Sequence, residues 1–320
     1  MGRTKKIENN ESEDLKLQVT IKELQKRFGF EAMHMATEEP NVDRIPFGIP
    51  SIDEKLGGGI PRRRFSILWG AESSCKSSAC LTLIASAQKQ GLTCAYLDLE
   101  NKFEKEWAIK LGVDLTTLLL GRFDHSEQAL DTFLELCRTH EVDLFIVDSI
   151  HALSPKEERE DKKGDLNSTE KKTIALLPRV LGQFFRMSGT DVYKGNTAVV
   201  LVGQVRTGGI GSFFTHAELT GGAALKHSSS MTIFLRKGQN ADSPVQKIKE
   251  TYLDEKTGKE RYRTVSKPIG IDLVMKLEKK KVPNCVYEGT EIHVPFFYDS
   301  GFKEPEGYNV KTETPTETDS

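Results

Sequence analysis

Phe65-Ser66-Ile67-Leu68-Trp69-Gly70-Ala71-Glu72-Ser73-Ser74-Cys75-Lys76-Ser77-Ser78 is the stretch that decides the fold of this chain. Its first five residues form a short apolar run that ends in a glycine turn. A helical stretch follows from Lys76 to about Gln90, with Ala79, Leu83 and Ala87 on one apolar face. A buried strand that feeds a helix through a polar loop gathers backbone N–H groups at the helix N-terminus, where they curl around a phosphate. Lys76 then reaches the outer phosphate oxygens, and the Ser77 hydroxyl is the ligand for Mg²⁺. Cys75 stands where such a loop normally carries glycine. If the position needs a positive φ, its Cβ costs on the order of 1 kcal/mol. If φ is helical, the objection becomes crowding of the side chain against the phosphate. A cysteine beside a helix N-terminus and Lys76 also qualifies as a reactive thiolate. The bland alternative for the whole stretch is a serine-rich strand–helix turn.

Working outward, strand-like and helix-like segments alternate. Cys94 to Leu99 is followed by a helix over 127–138, Leu144 to Val147 by a long helix near 169–187, and that helix by Thr197 to Val202. Continuous apolar strands separated by helices predict an α/β fold, a mainly parallel sheet covered on both faces. Beyond residue 229 the pattern changes to strands and turns, which predicts antiparallel strands extending the sheet. A Lys/Glu-rich insertion at 241–268 contains a turn at Lys256-Thr257-Gly258. Residues 1–15 and 303–320 read as disordered tails, the latter with five acids against two lysines. The expected organisation is a small N-terminal segment over 16–45 and a main α/β core over 46–302.

Composition narrows the classes. No apolar run is long enough to span a membrane, and no apolar stretch follows the basic residues at the N-terminus, which argues against a secretory signal. Five cysteines, an odd number without paired metal spacing, argue against a disulfide framework or a zinc site. A reducing, cytoplasmic compartment is expected. The net charge of -2 excludes a uniformly basic nucleic-acid glove, so any polyanion site must be built locally.

Other residues add chemistry. Asp148 closes the apolar strand Leu144-Phe145-Ile146-Val147, where a magnesium-orienting carboxylate is expected, although strands also end in Asp as a turn residue. Glu100 closes Tyr96-Leu97-Asp98-Leu99, and a carboxylate there orients the attacking water, with Asp98 as its competitor. Residues 206–220 contain three glycines. They also carry Arg206, Ile210, Phe213, Phe214 and His216, a composition suited to contacting phosphates and stacking on bases. The alternative is that both phenylalanines pack on the domain. Residues 157–165 mix acids with Arg159, Lys162 and Lys163, which as a bare charge run is a solvated turn.

From these residues outward the chain resembles the RecA family of DNA strand-exchange recombinases, from about Ile21 to Phe302. GAESSCKS resembles the family's phosphate loop, and YLDLENKFEKEWAIKLGVD the segment with its catalytic glutamate and base contacts. FIVDSIHALSPKEEREDKKGD resembles its magnesium aspartate and first DNA-binding loop. LVGQVRTGGIGSFFTHAELTGGAALKH resembles its switch glutamine and second DNA-binding loop. The resemblance implies a RecA-like ATPase core that uses ATP and Mg²⁺. It implies residues 70–78 on nucleotide, Ser77 and Asp148 at the metal, Glu100 as general base and Gln204 as the γ-phosphate sensor. Ser149 follows the aspartate as it does in the family. It further implies Glu104 and Trp107 at the adenine, where a stacked indole is physically sensible. Arg159, Lys162, Lys163, Arg206, Gly208, Gly209, Ile210, Gly211, Phe213, Phe214, Gly221 and Gly222 would lie on DNA. Lys279 and Lys281 would reach a neighbouring subunit's γ-phosphate, with Lys280 pointing away.

Residues 21–35 resemble the helix and edge strand with which the family docks subunits into a helical filament. The implied partners are single-stranded DNA, homologous duplex DNA, further copies of the chain and loader or mediator proteins. The family's bacterial members carry a further C-terminal domain that loads duplex DNA. Here only an acidic tail follows Phe302, which suggests a phage-type version or gives duplex capture to an element such as the 241–268 insertion. Two rival functions share the phosphate loop. One is a poorly hydrolysing, nucleotide-gated filament or mediator protein, favoured by Cys75. The other is a ring-type helicase motor, against which the 206–220 loop and the docking segment count.

Overall fold

The computed structural model describes residues 16–29, 33–39, 41–154, 176–206, 218–219, 222–239, 243–253 and 260–305. The chain divides into two compact units, Met1–Val42 and Asp43–Ser320. In the first, helix α1 spans residues 16–28, followed by an extended Met35 and a 3₁₀ turn over Ala36–Glu38. Residues 33–35, within the expected edge strand, form no strand. The Gln25 side chain ties the helix to the Met33 carbonyl at 2.9 Å. Leu17, Val19, Phe28, Met33 and Met35 are all more than half exposed, a concentration of apolar surface unusual for so short a segment.

The second unit is built on strand β3 (Arg64–Gly70). It follows a short antiparallel pair, β1 (Arg44–Ile45) with β2 (Ile60–Pro61), and the helix α2 (Pro50–Lys55), which has proline in its first turn. Gly59 is required in the connection, because a Cβ there would lie 2.2 Å from the Ile45 carbonyl oxygen. After β3 come α3 (Lys76–Lys89), β4 (Cys94–Asp98), α4 (Lys105–Lys110), β5 (Leu118–Gly121), α5 (Ser126–Thr139) and β6 (Leu144–Asp148). Then follow α6 (Leu176–Lys194), β7 (Ala198–Arg206), β8 (Glu218–Leu219), α7 (Gly222–Ser228) and β9 (Ser229–Lys237). The last elements are β10 (Val245–Leu253), β11 (Glu260–Pro268), β12 (Gly270–Lys280), β13 (Glu291–Phe297) and β14 (Gly301–Phe302).

The main sheet runs β14-β13-β12-β9-β3-β7-β6-β4-β5, with β8 paired to β7. From β9 to β5 every pairing is parallel, and from β9 outward through β12, β13 and β14 every pairing is antiparallel. This is the parallel sheet with antiparallel extension that the apolar runs predict. β10 and β11 depart from that expectation: they pair only with each other, as a separate two-stranded ribbon. The turn at 256–258 lies outside the described residues.

Strand residues alternate between the two faces. Phe65, Ile67, Ala95, Leu97, Phe145, Val147, Val199 and Leu201 meet α5 and α6 through Phe133, Leu134, Phe184 and Phe185. The Phe133 ring lies 4.5 Å from Phe145 and 5.0 Å from Phe184. The opposite face carries α3, whose Ala79, Leu83 and Ala87 are all buried. Truncating such a residue, as in Leu83→Ala, costs about 2–5 kcal/mol. α5 starts where His125 accepts a hydrogen bond from the Gln128 N–H and ends at a left-handed His140.

Candidate nucleotide and metal site

β3 delivers Gly70 to the C-terminal edge of the sheet, directly opposite Gln204 of β7 in the parallel register. A Cβ on Gly70 would lie 2.1 Å from the Leu235 carbonyl oxygen, so only glycine lets β9 pass this close. The loop that follows contains two left-handed residues that are not glycine, Ser73 (φ 58°) and Cys75 (φ 57°). Of the two possibilities at Cys75, the position thus requires positive φ, and the Cβ carries that backbone cost. The thiol is no reactive thiolate. Burial pushes it up to about 11 despite Lys237 and Lys76 nearby, so it is protonated at neutral pH.

Lys76 folds back over the loop. Its ammonium donates to the Ala71 carbonyl at 2.6 Å and the Gly70 carbonyl at 3.2 Å, and lies 3.4 Å from the Ser74 hydroxyl. Ser74 also donates to the Ala71 carbonyl at 2.7 Å. Burial lowers the Lys76 pKa, with Asp148 and Glu100 opposing. At the second residue of α3, the Ser77 hydroxyl donates to Asp148 at 2.6 Å, and the Tyr96 hydroxyl donates to the same carboxylate oxygen at 2.5 Å. Burial raises Asp148 above the usual carboxylate range, against the lowering effect of those two hydroxyls.

Asp98 and Glu100 differ in their partners. Asp98 is buried and accepts from the Lys102 and Phe103 backbone N–H groups at 3.0 and 3.1 Å and from Arg122 at 3.1 Å. It holds the turn after β4. Glu100 instead faces β6 and β7, accepting from Ser149 at 2.5 Å and Gln204 at 2.6 Å on one oxygen and from Lys102 at 2.8 Å on the other. Burial alone would raise its pKa, but the bonds from Lys102, Ser149 and Gln204 outweigh it and hold the carboxyl below the ordinary value. His151, just past β6, accepts from the Gln204 backbone N–H at 3.0 Å.

Trp107 on α4 lies against the same helix start: its indole N–H donates to the Ser78 hydroxyl at 3.0 Å, while Glu104 at the head of α4 is exposed. Lys279 and Lys281 sit elsewhere. Lys279 donates to the Lys226 carbonyl and lies 3.4 Å from the Ser229 hydroxyl, and Lys281 donates to the His227 carbonyl at 3.3 Å. Both lysines therefore cap the C-terminal end of α7. Lys280 turns the other way, to the Cys285 carbonyl at 2.8 Å, the alternation expected of extended chain. The two clusters are linked by Trp69, whose indole N–H donates to Glu278 at 2.7 Å. A cavity of about 330 Å³ opens there, lined by Trp69, Leu219, Lys226, Thr232, Glu278 and Lys279.

Arg206 ends β7 and Gly222 begins α7. Arg159, Lys162, Lys163, Gly208, Gly209, Ile210, Gly211, Phe213, Phe214 and Gly221 lie outside the described residues. Tyr96, His151, Trp69 and Glu278 are the participants that sequence reasoning missed. The available signal was a hydroxyl or indole N–H inside an otherwise apolar strand, since a buried polar tip must find a partner.

A central strand ending in glycine, a lysine and a hydroxyl opening the next helix, and an acid at the tip of a nearby parallel strand together define a RecA-like phosphate-loop core. The chain belongs to the RecA family: the model of the RecA N-terminal domain matches residues 15–277. Curated relatives called Protein RecA include that of Thermus aquaticus, 39% identical over 225 residues, which are 69% of this chain and 64% of that protein. Those of Aquifex pyrophilus and Wolinella succinogenes are each 36% identical, covering 72% and 69% of this chain and 66% and 63% of theirs. The chain thus spans just under two thirds of the length of the curated relatives it matches. No helix among the described residues is long and apolar enough to cross a membrane.

Proposed function

We propose that this chain is an ATP- and Mg²⁺-dependent DNA recombinase that assembles on single-stranded DNA, pairs it with homologous duplex and hydrolyses ATP when bound to DNA. The observation that carries this reading is the convergence of Lys76, Ser77, Asp148, Glu100 and Gln204 on one edge of the sheet, where Ser77 bonds to Asp148, Gln204 bonds to Glu100, and Lys76 folds over the loop onto the Gly70 and Ala71 carbonyls. Family membership supports the choice of DNA as the partner.

The donor set suits Mg²⁺, because Ser77 and Asp148 are hard oxygen donors 2.6 Å apart and would hold the ion between loop and strand. When bound there, Mg²⁺ would supply positive charge that offsets the charge on the outer phosphates. Lys76 moves its ammonium hydrogen bonds from the Ala71 and Gly70 carbonyls to phosphate oxygens. Glu100, kept ionised by its three donors, takes the proton of the attacking water. Gln204 gives its amide N–H to the γ-phosphate in place of Glu100. That exchange alters the end of β7 where the second DNA loop departs. Lys279 and Lys281 leave α7 to meet the nucleotide of a neighbouring subunit, and the exposed apolar residues of the first unit supply the docking between copies.

The test is ATP hydrolysis with and without single-stranded DNA, beside Lys76→Ala. Turnover that needs DNA and disappears with Lys76→Ala supports the motor. A nucleotide-gated scaffold is the second reading, favoured by the left-handed Cys75. Under that reading the wild type shows no turnover and Cys75→Gly restores it.

A further inference from the structure

The β10–β11 ribbon stands outside every sheet interaction of the core. Nine residue pairs in unbroken register, at ~3.4 Å each, make an arm about 30 Å long that leaves the sheet between β9 and β12. Its base is fixed by the Ile269 N–H donating to the Pro244 carbonyl at 3.0 Å and by the Asp272 N–H donating to the Ser243 hydroxyl at 3.3 Å. A lone two-stranded ribbon is marginal in water, so its two faces have to be examined separately.

The register sorts them. One face carries Gln246 with Lys267, Ile248 with Val265, and Glu250 with Arg263. Ile248, Glu250 and Val265 are half-buried, and Glu250 is paired with both Arg263 and Lys267 at 3.3 Å. That face is cohesive and its carboxylate is neutralised. The other face pairs Lys247 with Ser266, Lys249 with Thr264, and Thr251 with Tyr262, and all six are exposed, Tyr262 to 71%. It holds two ammonium groups, three aliphatic hydroxyls and a phenol, without a carboxylate among these six. Lys247 and Lys249 are two residues apart, an advance of ~6.8 Å along the strand, which matches two nucleotides of duplex rise.

We propose that this face of the ribbon is a duplex-DNA-binding arm, with Lys247 and Lys249 on phosphates and the hydroxyls and Tyr262 on the backbone beside them. A two-stranded ribbon has the width that the major groove admits, and exposed lysines with hydroxyl donors are the chemistry of phosphate contact without base reading. The arm goes beyond the nucleotide-site reading of function, which involves none of its residues, and shares with that reading only the choice of DNA.

The experiment measures binding of the full chain to a labelled duplex of random sequence across a salt series, for the wild type, Lys247→Gln/Lys249→Gln and Lys267→Gln. The double variant is expected to lose on the order of ten-fold or more in duplex affinity. Its log affinity should fall less steeply with log salt, by about 1.8, or 0.9 for each phosphate that no longer meets a lysine. Thermal unfolding should be unchanged, because the substituted side chains are exposed. Lys267→Gln, on the opposite face, should bind as the wild type does. Unchanged duplex affinity and slope in the double variant overturn the arm, as does an equal loss in Lys267→Gln. If the ribbon instead docks a second copy, sedimentation of the double variant changes while duplex affinity stays intact, which also overturns it. Single-strand-stimulated ATP turnover, followed in the same samples, separates the two readings. Turnover present with duplex binding unaffected sinks the arm alone. Turnover absent from the wild type, with the lysine-dependent duplex loss intact, sinks the motor alone.

Discussion

The phosphate-loop cluster and the lysine pair at the end of β12 are both polar and both satisfied within the chain, yet the first is held by other side chains and the second by backbone carbonyls. Ser77 and Tyr96 bond to Asp148, and Ser149 and Gln204 bond to Glu100, all at 2.5–2.6 Å between side chains drawn from α3, β7 and the ends of β4 and β6. Lys279 and Lys281 spend their ammonium groups on the last carbonyls of α7, partners that any cation at a helix C-terminus would find. The first arrangement is specific and the second replaceable. A replaceable partner is what a group needs if it is to leave for a neighbour's phosphate.

The sharpest way to break this comparison is Lys76→Ala, expected to remove ATP turnover by about 10³-fold or more in kcat/KM, measured by phosphate release. Lys279→Ala/Lys281→Ala is expected to lower kcat by roughly 10²–10³-fold, since two donors to developing charge are removed, while nucleotide binding to dilute protein stays as in the wild type. Equal loss of binding in both variants would place the lysine pair in the same chain's site. Tyr96→Phe tests the closed cluster: removing a hydroxyl from a buried carboxylate is expected to cost about 1.5–3 kcal/mol in urea unfolding.

Most of the sheet was legible because its strands are buried on both faces and therefore read as unbroken apolar runs, as in Leu144 to Val147 and Ala198 to Val202. β5 went unread: Leu118-Leu119-Leu120-Gly121 is a short edge strand with Leu119 and Leu120 exposed, and nothing in its pattern marks a pairing partner. The ribbon was legible as strands and not as a separate body, because its alternation of lysine and threonine is the same whether or not a sheet lies alongside. At the site, Lys76, Ser77 and Asp148 could be read from types and spacing. The different surroundings of Glu100 and Asp98 could not, since both are acids near one strand end and only the bonds from Arg122 and the 102–103 backbone N–H groups to Asp98 set them apart.

Smaller effects sharpen the same contrast. Burial holds Asp148 above its ordinary 3.8, so the folded state binds that proton more tightly than the unfolded chain does. Its contribution to stability is therefore greatest below 3.8 and is lost as pH rises through the folded value. Denaturant melts of the wild type and Asp148→Asn across pH should coincide at the acid end, and the variant should gain relative stability above that window. Cys75→Gly is expected to change stability by no more than about 1 kcal/mol, because relief of the left-handed Cβ is offset by the greater freedom of glycine in the unfolded chain.

The central claim, that one half of the site is closed within a chain and the other half is lent to a neighbour, is tested most directly by mixing. Lys76→Ala and Lys279→Ala/Lys281→Ala proteins are assayed for ATP hydrolysis on single-stranded DNA, alone and combined. The expected result is turnover in the mixture that neither variant has alone, from junctions that join an intact loop to an intact lysine pair. A mixture no more active than the sum of its parts would contradict a site shared between subunits.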